Sequence, residues 1–410
     1  MNRLLRSRGM ALPLYLALST LLCLALLSVT QLGQHARRQF YLQSVADNAA
    51  MSAGVLMARQ LNFAALLNRA LIGNQVALAQ WVGLHSWFNM MVSLINNSAT
   101  VLSFVPVLTG PMVTLKRALK GIKLGTERGL SAVVMLHVAI IQAISALQTV
   151  LQHTLIAEIP FSIEDVVAAH DDRLEWDAFH GGGIVPFPAL WWRLTQVEST
   201  RDKEQSAFFK TLVLKSRDPF SKKRTYNWLD TYALKIRRAG GSDLATRWNG
   251  EWNWHAIDTV SAHWRKYWAF GSMKERLPLA WGASAQYVRV KRWASLYGES
   301  EWINPWATWL GWQSMPRLKV KQPAFRFVRL QHKARLGADK IVIKVTDPES
   351  EQQAVAKAEV FFSRPNSLFP RSDSKHEKEN LFNALWQTKL SPLSLIEQTV
   401  LGIQAYEKST

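Results

Sequence analysis

Apolar positions run almost unbroken through the first third of this chain, and charged residues punctuate it only at a few points. After Arg8 no charge occurs until Arg37, and Met10 to Leu32 is a 23-residue stretch dominated by Leu, Ala and Val. At about 1.5 Å per residue such a helix covers roughly 34 Å, the thickness of a bilayer's hydrocarbon. Pro13 lies near its start, where a missing donor costs least. Beyond it, Gln39 to Gln80 is rich in Ala, Leu, Asn and Gln without proline, and Val45, Ala49, Ala53 and Leu56 recur at helical spacing. The pattern predicts a long helix continuing out of the anchor, with Asp47, Asn48 and Arg59 as polar points on it.

Ala70 to Leu115 carries no charge but Glu-free apolarity is interrupted by Pro106 and Gly110-Pro111, ahead of a short basic amphipathic stretch from Lys116 to Arg128. A second uncharged run, Gly129 to Leu151, is long enough to cross a membrane, yet His137, Gln142, Ser145, Gln148 and Thr149 interrupt it. Its interspersed Ala and Ser suit a helix packed against the earlier ones in a hairpin or bundle. No heptad is sustained strongly enough to specify a coiled coil.

From Ile159-Pro160 the composition shifts. Residues 159–204 read as a connector containing the acidic island Asp171, Asp172, Glu175 and Asp177 near His170 and His180, followed by Gly181-Gly182-Gly183 and Pro186, Pro188. Two histidines among carboxylates invite a metal reading, but the spacing matches no short ligand motif, and an exposed connector accounts for them. Residues 205–365 read as mostly antiparallel sheet. Strand candidates are Thr211 to Lys215, Tyr287 to Val290, Phe325 to Gln331, Ile341 to Val345 and Val355 to Phe362. Gly240-Gly241 reads as a hairpin or tight turn and Trp254 to Trp268 as a helix. The clearest period of two sets Ile341, Ile343 and Val345 on one face, with Lys340 and Lys344 opposite. Residues 366–410 read as a polar loop over 371–380 and a final helix from Pro392 to Tyr406.

The expected fold is therefore α+β: a transmembrane helix within residues 1–36, a helical bundle or stalk over 37–158, the connector, and a mostly antiparallel β-rich domain.

Charge adds an orientation and a candidate surface. Arg3, Arg6 and Arg8 precede the anchor and predict a cytoplasmic N-terminus, with the remainder outside the cytoplasmic membrane in a single-pass arrangement. A cleaved signal peptide is the rival, but Ser28-Val29-Thr30 is a poor cleavage site and the apolar run is long. The formal net charge of +19 is concentrated: residues 200–340 hold 27 Lys or Arg against 11 Asp or Glu, with 12 of the 18 Trp. Lys222, Lys223, Arg224, Arg237 and Arg238 are the candidate contacts to acidic envelope polymers. Trp interleaved with Arg also suits nucleic acid, but no nucleic-acid signature accompanies it and an extracytoplasmic placement weighs against that partner. The lone cysteine, Cys23, excludes an intrachain disulfide, and Leu22 before it is too large for a lipidation site.

Candidate chemistry is sparse. No nucleophile elbow, phosphate loop or His-Glu-x-x-His occurs. His255, Asp258, Ser261 and His263 cluster within twelve residues, but a triad needs convergence in space, and packing explains the segment more simply. A tethered hydrolase using these residues and a polymer-binding module remain the alternatives.

Family resemblance sharpens this. Arg8-Gly9-Met10-Ala11-Leu12, the stretch Val45-Ala46-Asp47-Asn48-Ala49-Ala50, the run MARQLNFAALLNRA (57–70) and its continuation Gly73 to Gln80 resemble the TadG-like proteins of tight-adherence (Flp) pilus systems. Shorter similarities follow at Ser216 to Arg224 and at Arg237 to Gly241. The resemblance implies a structural or assembly component in contact with pilin-like proteins and the bilayer, with no cofactor and no catalytic residue. It departs from prepilins at Leu14, where glutamate is usual, so the anchor is expected to stay uncut.

Overall fold

The computed structural model describes residues 11–102, 109–180, 185–186, 194–247, 249–265, 271–289, 298–330, 340–365, 368–373, 375 and 377–400. Arg3, Arg6, Arg8, the Arg-Gly junction and the triple glycine lie outside the described residues. One helix, α1 (Ala11–Leu102), holds 92 residues, about 140 Å of continuous helix. Its first part stands free: Leu14, Leu18, Leu22, Leu26 and Leu32 are all exposed. From Leu42 onward it is a core element. A second helix, α2 (Thr109–His170), returns antiparallel beside it, so that Lys116 Nζ reaches Thr100 Oγ1 at 3.3 Å and the His170 carbonyl accepts from Tyr41 Oη at 2.7 Å.

Three antiparallel sheets pack along this hairpin. The first, five-stranded, has the order β11-β10-β9-β1-β2, from β1 (Glu175–His180), β2 (Val185–Pro186), β9 (Lys340–Thr346), β10 (Gln353–Phe362) and β11 (Trp386–Leu390). The second pairs β3 (Leu194–Glu198) with β8 (Arg326–Leu330). The third runs β4-β5-β6-β7, from β4 (Tyr226–Asp230), β5 (Leu234–Thr246), β6 (Trp252–Trp264) and β7 (Lys274–Ala285). Short helices α3 (Lys203–Lys215), α4 (Pro219–Lys222), α5 (Gly298–Ile303), α6 (Pro305–Gln313) and α7 (Leu395–Val400) fill the connections.

The expected α+β class and its antiparallel β region are present, and β9 places Ile341, Ile343 and Val345 together in the core. The long-helix region and the sheets do not form separate cores. Leu42, Val45, Ala49 and Ala53 of α1 share one cluster with Ile159, Ile163 and Val167 of α2 and with β9 and β10. A second cluster joins Leu71, Leu78 and Val82 of α1 to Val134, Val138 and Ile141 of α2 and to Phe209, Trp252, Trp254 and Phe327. Gly129 to Leu151 is thus a helix with one face buried, as the sequence favours.

Five local readings are corrected. The expected helix from Trp254 is strand β6, interior to its sheet and covered on both faces, so it shows no alternation for a sequence reading to detect. Gly240-Gly241 is no turn but mid-β5; a Cβ on Gly240 would overlap the Asp258 carboxylate across the ladder. Thr211 to Lys215 belongs to α3, capped by Asp202 and burying Phe209 and Val213 one turn apart. Tyr287 to Arg289 forms no strand, and Val290 lies outside the described residues. The shift at Pro160 does not end α2 either: Ile159, Ile163 and Val167 bury at four-residue spacing and outweigh one lost backbone donor.

What pins the sheets to α1 is a ladder of polar side chains. Leu61, Ala64, Asn68, Leu71, Gln75, Leu78, Val82, His85, Asn89 and Val92 are all buried, at alternating spacings of three and four. This is a heptad stripe in which several positions are polar. Asn68 is fully used: its Nδ2 donates to Val328 O and Leu381 O at 2.8 and 2.9 Å, and its Oδ1 accepts from Val328 N at 3.2 Å and Gln148 Nε2 at 2.9 Å. Asn62 treats Trp386 the same way, exchanging two 2.9 Å bonds with its backbone N and O. Each amide stands in for a neighbouring strand along β8 or β11. Trp254 Nε1 donates to Gln75 Oε1 at 2.9 Å, and Asn97 Nδ2 donates to Leu279 O at 2.8 Å. Gly282 of β7 lies so close to α1 that a Cβ would overlap Met90 N and Ser86 O.

Replacing Asn68 with Ala strands four buried partners and is expected to cost about 2–4 kcal/mol, since each unmet buried group costs on the order of 1–3. Asn48→Ala, at a looser and exposed contact, is expected to cost less than about 0.5 kcal/mol. Denaturant unfolding of the full chain in detergent measures both, and equal effects would refute the ladder.

Candidate functional site

The five cations expected to form a polyanion surface separate into two sets. Lys222 and Lys223 are exposed at the end of α4, and Arg237 is partly buried on β5. Arg224 and Arg238 are not surface residues at all. They are 4% and 5% exposed and converge on Asp258, which is 0% exposed. Arg224 donates Nε and Nη2 to the two carboxylate oxygens at 2.8 and 2.9 Å, and Arg238 Nη2 donates to Oδ1 at 3.2 Å. Arg224 Nη1 also donates to Phe220 O at 2.7 Å and Ser242 Oγ at 3.2 Å, and its guanidinium lies 4.7 Å above the Phe220 ring. Arg238 donates to Tyr226 Oη and stacks on that ring at 5.0 Å. The expectation of polyanion contact is therefore withdrawn for these two: both guanidinium groups are buried against Asp258, and α1 passes directly over that of Arg224 at Gly83. Their work is to hold β4, β5, β6 and α4 in register.

That carboxylate also decides the triad. Side chains alternate along β6, so Asp258 faces α1 and the arginines while His255, Thr259, Ser261 and His263 face the other way. There Ser261 Oγ donates to Glu275 Oε1 at 2.6 Å, and His263 Nε2 meets Asn304 Oδ1 at 2.8 Å. Asn304 Nδ2 in turn donates to Thr259 Oγ1 at 3.0 Å and Arg237 O at 3.1 Å. Glu275 accepts from the first amides of α6, Trp306 N at 2.6 Å and Ala307 N at 3.0 Å, a carboxylate at a helix start. The fold does not bring Ser261, a histidine and Asp258 together.

Two histidines here are held neutral. Burial lowers His255 to about 3. Burial, with Lys123 nearby, lowers His85 to about 4; its Nδ1 is hydrogen-bonded to Ser284 Oγ at 2.8 Å.

The acidic island lies at the opposite end, where α1 leaves its exposed apolar segment. Arg38 donates Nε to Asp347 Oδ2 at 2.8 Å and Nη2 to Asp171 Oδ2 at 3.3 Å. Gln39 Nε2 donates to Gln353 O at 2.9 Å, and His35 is hydrogen-bonded to Gln352 at 2.8 Å. Asp171 also takes Arg173, whose Nη1 donates to Glu349 Oε1 at 2.7 Å. The bond from Arg38 holds Asp347 down at about 2. These contacts form a collar that fastens the β9–β10 turn and the end of α2 to α1 at its emergence. Of the island, Asp171 is taken up by it, while Asp172, Glu175 and Asp177 are exposed. Among the described residues no group of three or more His, Cys, Asp or Glu stands placed to hold a metal ion.

A groove of about 650 Å³ opens between α1 and the C-terminal loop, lined by Gly73, Val76 and Ala77 with Asn380, Phe382 and Asn383. Of the collar the sequence singles out Asp171 alone, as part of an acidic cluster, and it gives no sign of the α1 ladder or the buried arginines. Nothing in composition separates Arg224 from its exposed neighbours Lys222 and Lys223.

No family model matches the chain, and no curated protein or solved structure matches it either.

Asp258→Asn leaves two buried guanidinium groups without their counter-charge and is expected to cost about 3–5 kcal/mol, against less than about 0.5 for exposed Asp172→Asn; thermal unfolding separates them. The neutral histidines give a pH dependence of fixed sign. Their folded pKa values lie below the ordinary 6.5, so the unfolded chain binds protons first, and stability falls as pH drops from 6.5 toward about 4. Between pH 7 and 5 each contributes a loss of about 2 kcal/mol, above the range in which unfolded carboxylates titrate. Urea midpoints at the two pH values should differ accordingly, and His85→Gln should reduce the difference.

Proposed function

We propose that this chain is a non-catalytic structural or assembly component of a bacterial cell envelope, anchored in the cytoplasmic membrane by one helix, with its folded part outside. The observation that carries the reading is the continuity of α1. The helix whose apolar side chains stand exposed over residues 12–36 is, without a break, the element against which all three sheets pack. A contiguous apolar surface of that size calls for lipid around it, and a rigid helix carries displacement from the bilayer directly into the domain.

The place of α2 supports a single crossing. Its uncharged stretch runs beside the distal part of α1: Gln148 bonds Asn68, His137 Nδ1 bonds Asn74 at 2.9 Å, and Glu127 approaches His85 at 3.9 Å. Asn68 is already about 48 Å along the helix from residue 36. That height favours a segment outside the anchor's bilayer. The arginines at positions 3, 6 and 8 then set the N-terminus inside.

The resemblance to TadG-like proteins gives the reading its biological direction, a tight-adherence pilus and pilin-like partners. The residues that carry it have a physical use: residues 57–80 contain Asn62, Asn68 and Gln75, the core of the ladder. The hydrolase alternative loses its aspartate to Arg224 and Arg238.

Reporter fusions after residues 155 and 410 should both read extracytoplasmic; cytoplasmic signals would overturn the topology. In a strain that loses surface pili on deletion, the wild-type gene and a Ser261→Ala, His263→Ala double variant should both restore them. A ten-residue Gly-Ser insertion between His35 and Ala36, which keeps the anchor and the domain but breaks their continuity, should reduce pili at least about tenfold at equal membrane abundance. Full rescue by that insertion, or loss of rescue by the double variant, would refute the proposal.

A further inference from the structure

The end of the molecule farthest from the anchor exposes aromatic and basic side chains together. β7 runs along α1 with its first residues toward the hairpin tip: Ala283, then Leu279, accept from Asn89 and Asn97 in turn. Asn97 lies about 90 Å along the helix from residue 36, and Lys274 lies about 17 Å farther along the strand. At that edge Trp264 pairs with Leu234 and Lys274, and Arg265 stacks on Tyr232 at 4.4 Å. Glu275 brings the start of α6 to the same place. Tyr232 is 67% exposed, Trp302 88% and Trp306 50%. At the same end, where Lys116 meets Thr100 of α1, α2 exposes Ile122 and Leu124 with Arg117 and Lys120.

Exposed Trp and Tyr beside Lys and Arg, with an amphipathic basic helix, is the composition of a surface that rests in lipid headgroups: rings reach the acyl boundary and cations meet phosphates. A soluble acidic polymer would meet the cations but leave the apolar side chains in water. The charge layout points outward as well. At the collar, next to the anchoring bilayer, Asp171 and Glu349 are ion-paired with Arg38 and Arg173. The collar's charges are thus paired with one another, while the distal end presents Arg117, Lys120 and Lys274 beside its exposed rings.

We infer that this distal surface docks on a second, anionic phospholipid surface, so that the chain bridges two membranes. The inference rests on the anchored reading. The full chain in nanodiscs of zwitterionic lipid, co-floated with vesicles, tests both. Entry into nanodiscs reads the anchor, and a chain that fails to enter loses the anchored reading and this inference with it. Vesicles containing phosphatidylglycerol should capture the loaded discs, and vesicles of phosphatidylcholine alone should not. Arg117→Glu with Lys120→Glu should lower capture at least about tenfold, in line with the contribution of each basic residue near an anionic surface. Trp302→Ser, at a side chain with little burial to lose, should lower it severalfold, while Phe369→Ser, exposed elsewhere on the chain, should leave it unchanged. Equal capture by both vesicle types, capture untouched by the distal substitutions, or clustering of loaded discs without vesicles would overturn the inference; the last would point to a second copy of this chain as the occupant.

Discussion

A helix that serves as the common wall of three sheets must satisfy sheet edges as well as bury apolar faces. A strand edge presents N–H and C=O groups that water no longer reaches once a helix covers them, and a helix has no free backbone to offer in return. α1 meets this requirement with side chains. Asn62 and Asn68 each offer one amide to a strand residue's backbone pair, and Asn89 and Asn97 cap carbonyls of β7. The rest of the architecture depends on these bonds, because among the described residues the sheets pair with one another through none of their strands and are joined through the hairpin.

The same constraint explains the residues between the amides. Ala46, Ala49, Ala50, Ala53 and Gly54 allow β10 and β11 to approach the helix closely, and at Gly54 a Cβ would press into Thr388 and Ala358. Farther along, Gly83 and Gly282 admit the Arg224 guanidinium and the α1 backbone respectively. Such close packing gains dispersion contacts but tolerates no added volume. The buried Arg224–Asp258–Arg238 group is a costly element in this setting. Its geometry is good, with a bidentate pair and ring stacking on both cations, yet replacement of the whole group by apolar residues would not of itself weaken the fold. What the group specifies is which strand lies beside which.

Charge arrangement along the long axis is the second organising feature. The collar at Arg38 fixes how the domain meets the emerging helix, with several bonds within one turn of α1. The far end is basic and aromatic. A net charge of +19 suggests uniform attraction to anions, but the fold withdraws part of it: Arg224 and Arg238 are buried on Asp258, and Arg38 is bound within the collar.

Much of this was legible in the chain before folding. The apolar anchor, the helical hairpin with its break near Pro106, and strand β9 follow from local hydropathy, since each exposes one polar side or none and so writes its period into the sequence. The ladder on α1 was not legible. Its positions keep heptad spacing, but Asn68, Gln75, His85 and Asn89 read as solvent-facing until their partners, some two hundred residues away, are in place. Strand β6 was misread for a related reason: with both faces covered, Trp, His, Asp and Ser alternate without a polar side. The candidate triad and the expected basic patch failed together, because one aspartate on the α1 face of β6 holds two of the arginines. Sequence by itself determined the elements whose environment is uniform along one face. Tertiary structure decided every place where a polar side chain is buried, because burial becomes tolerable only through a partner distant in the chain.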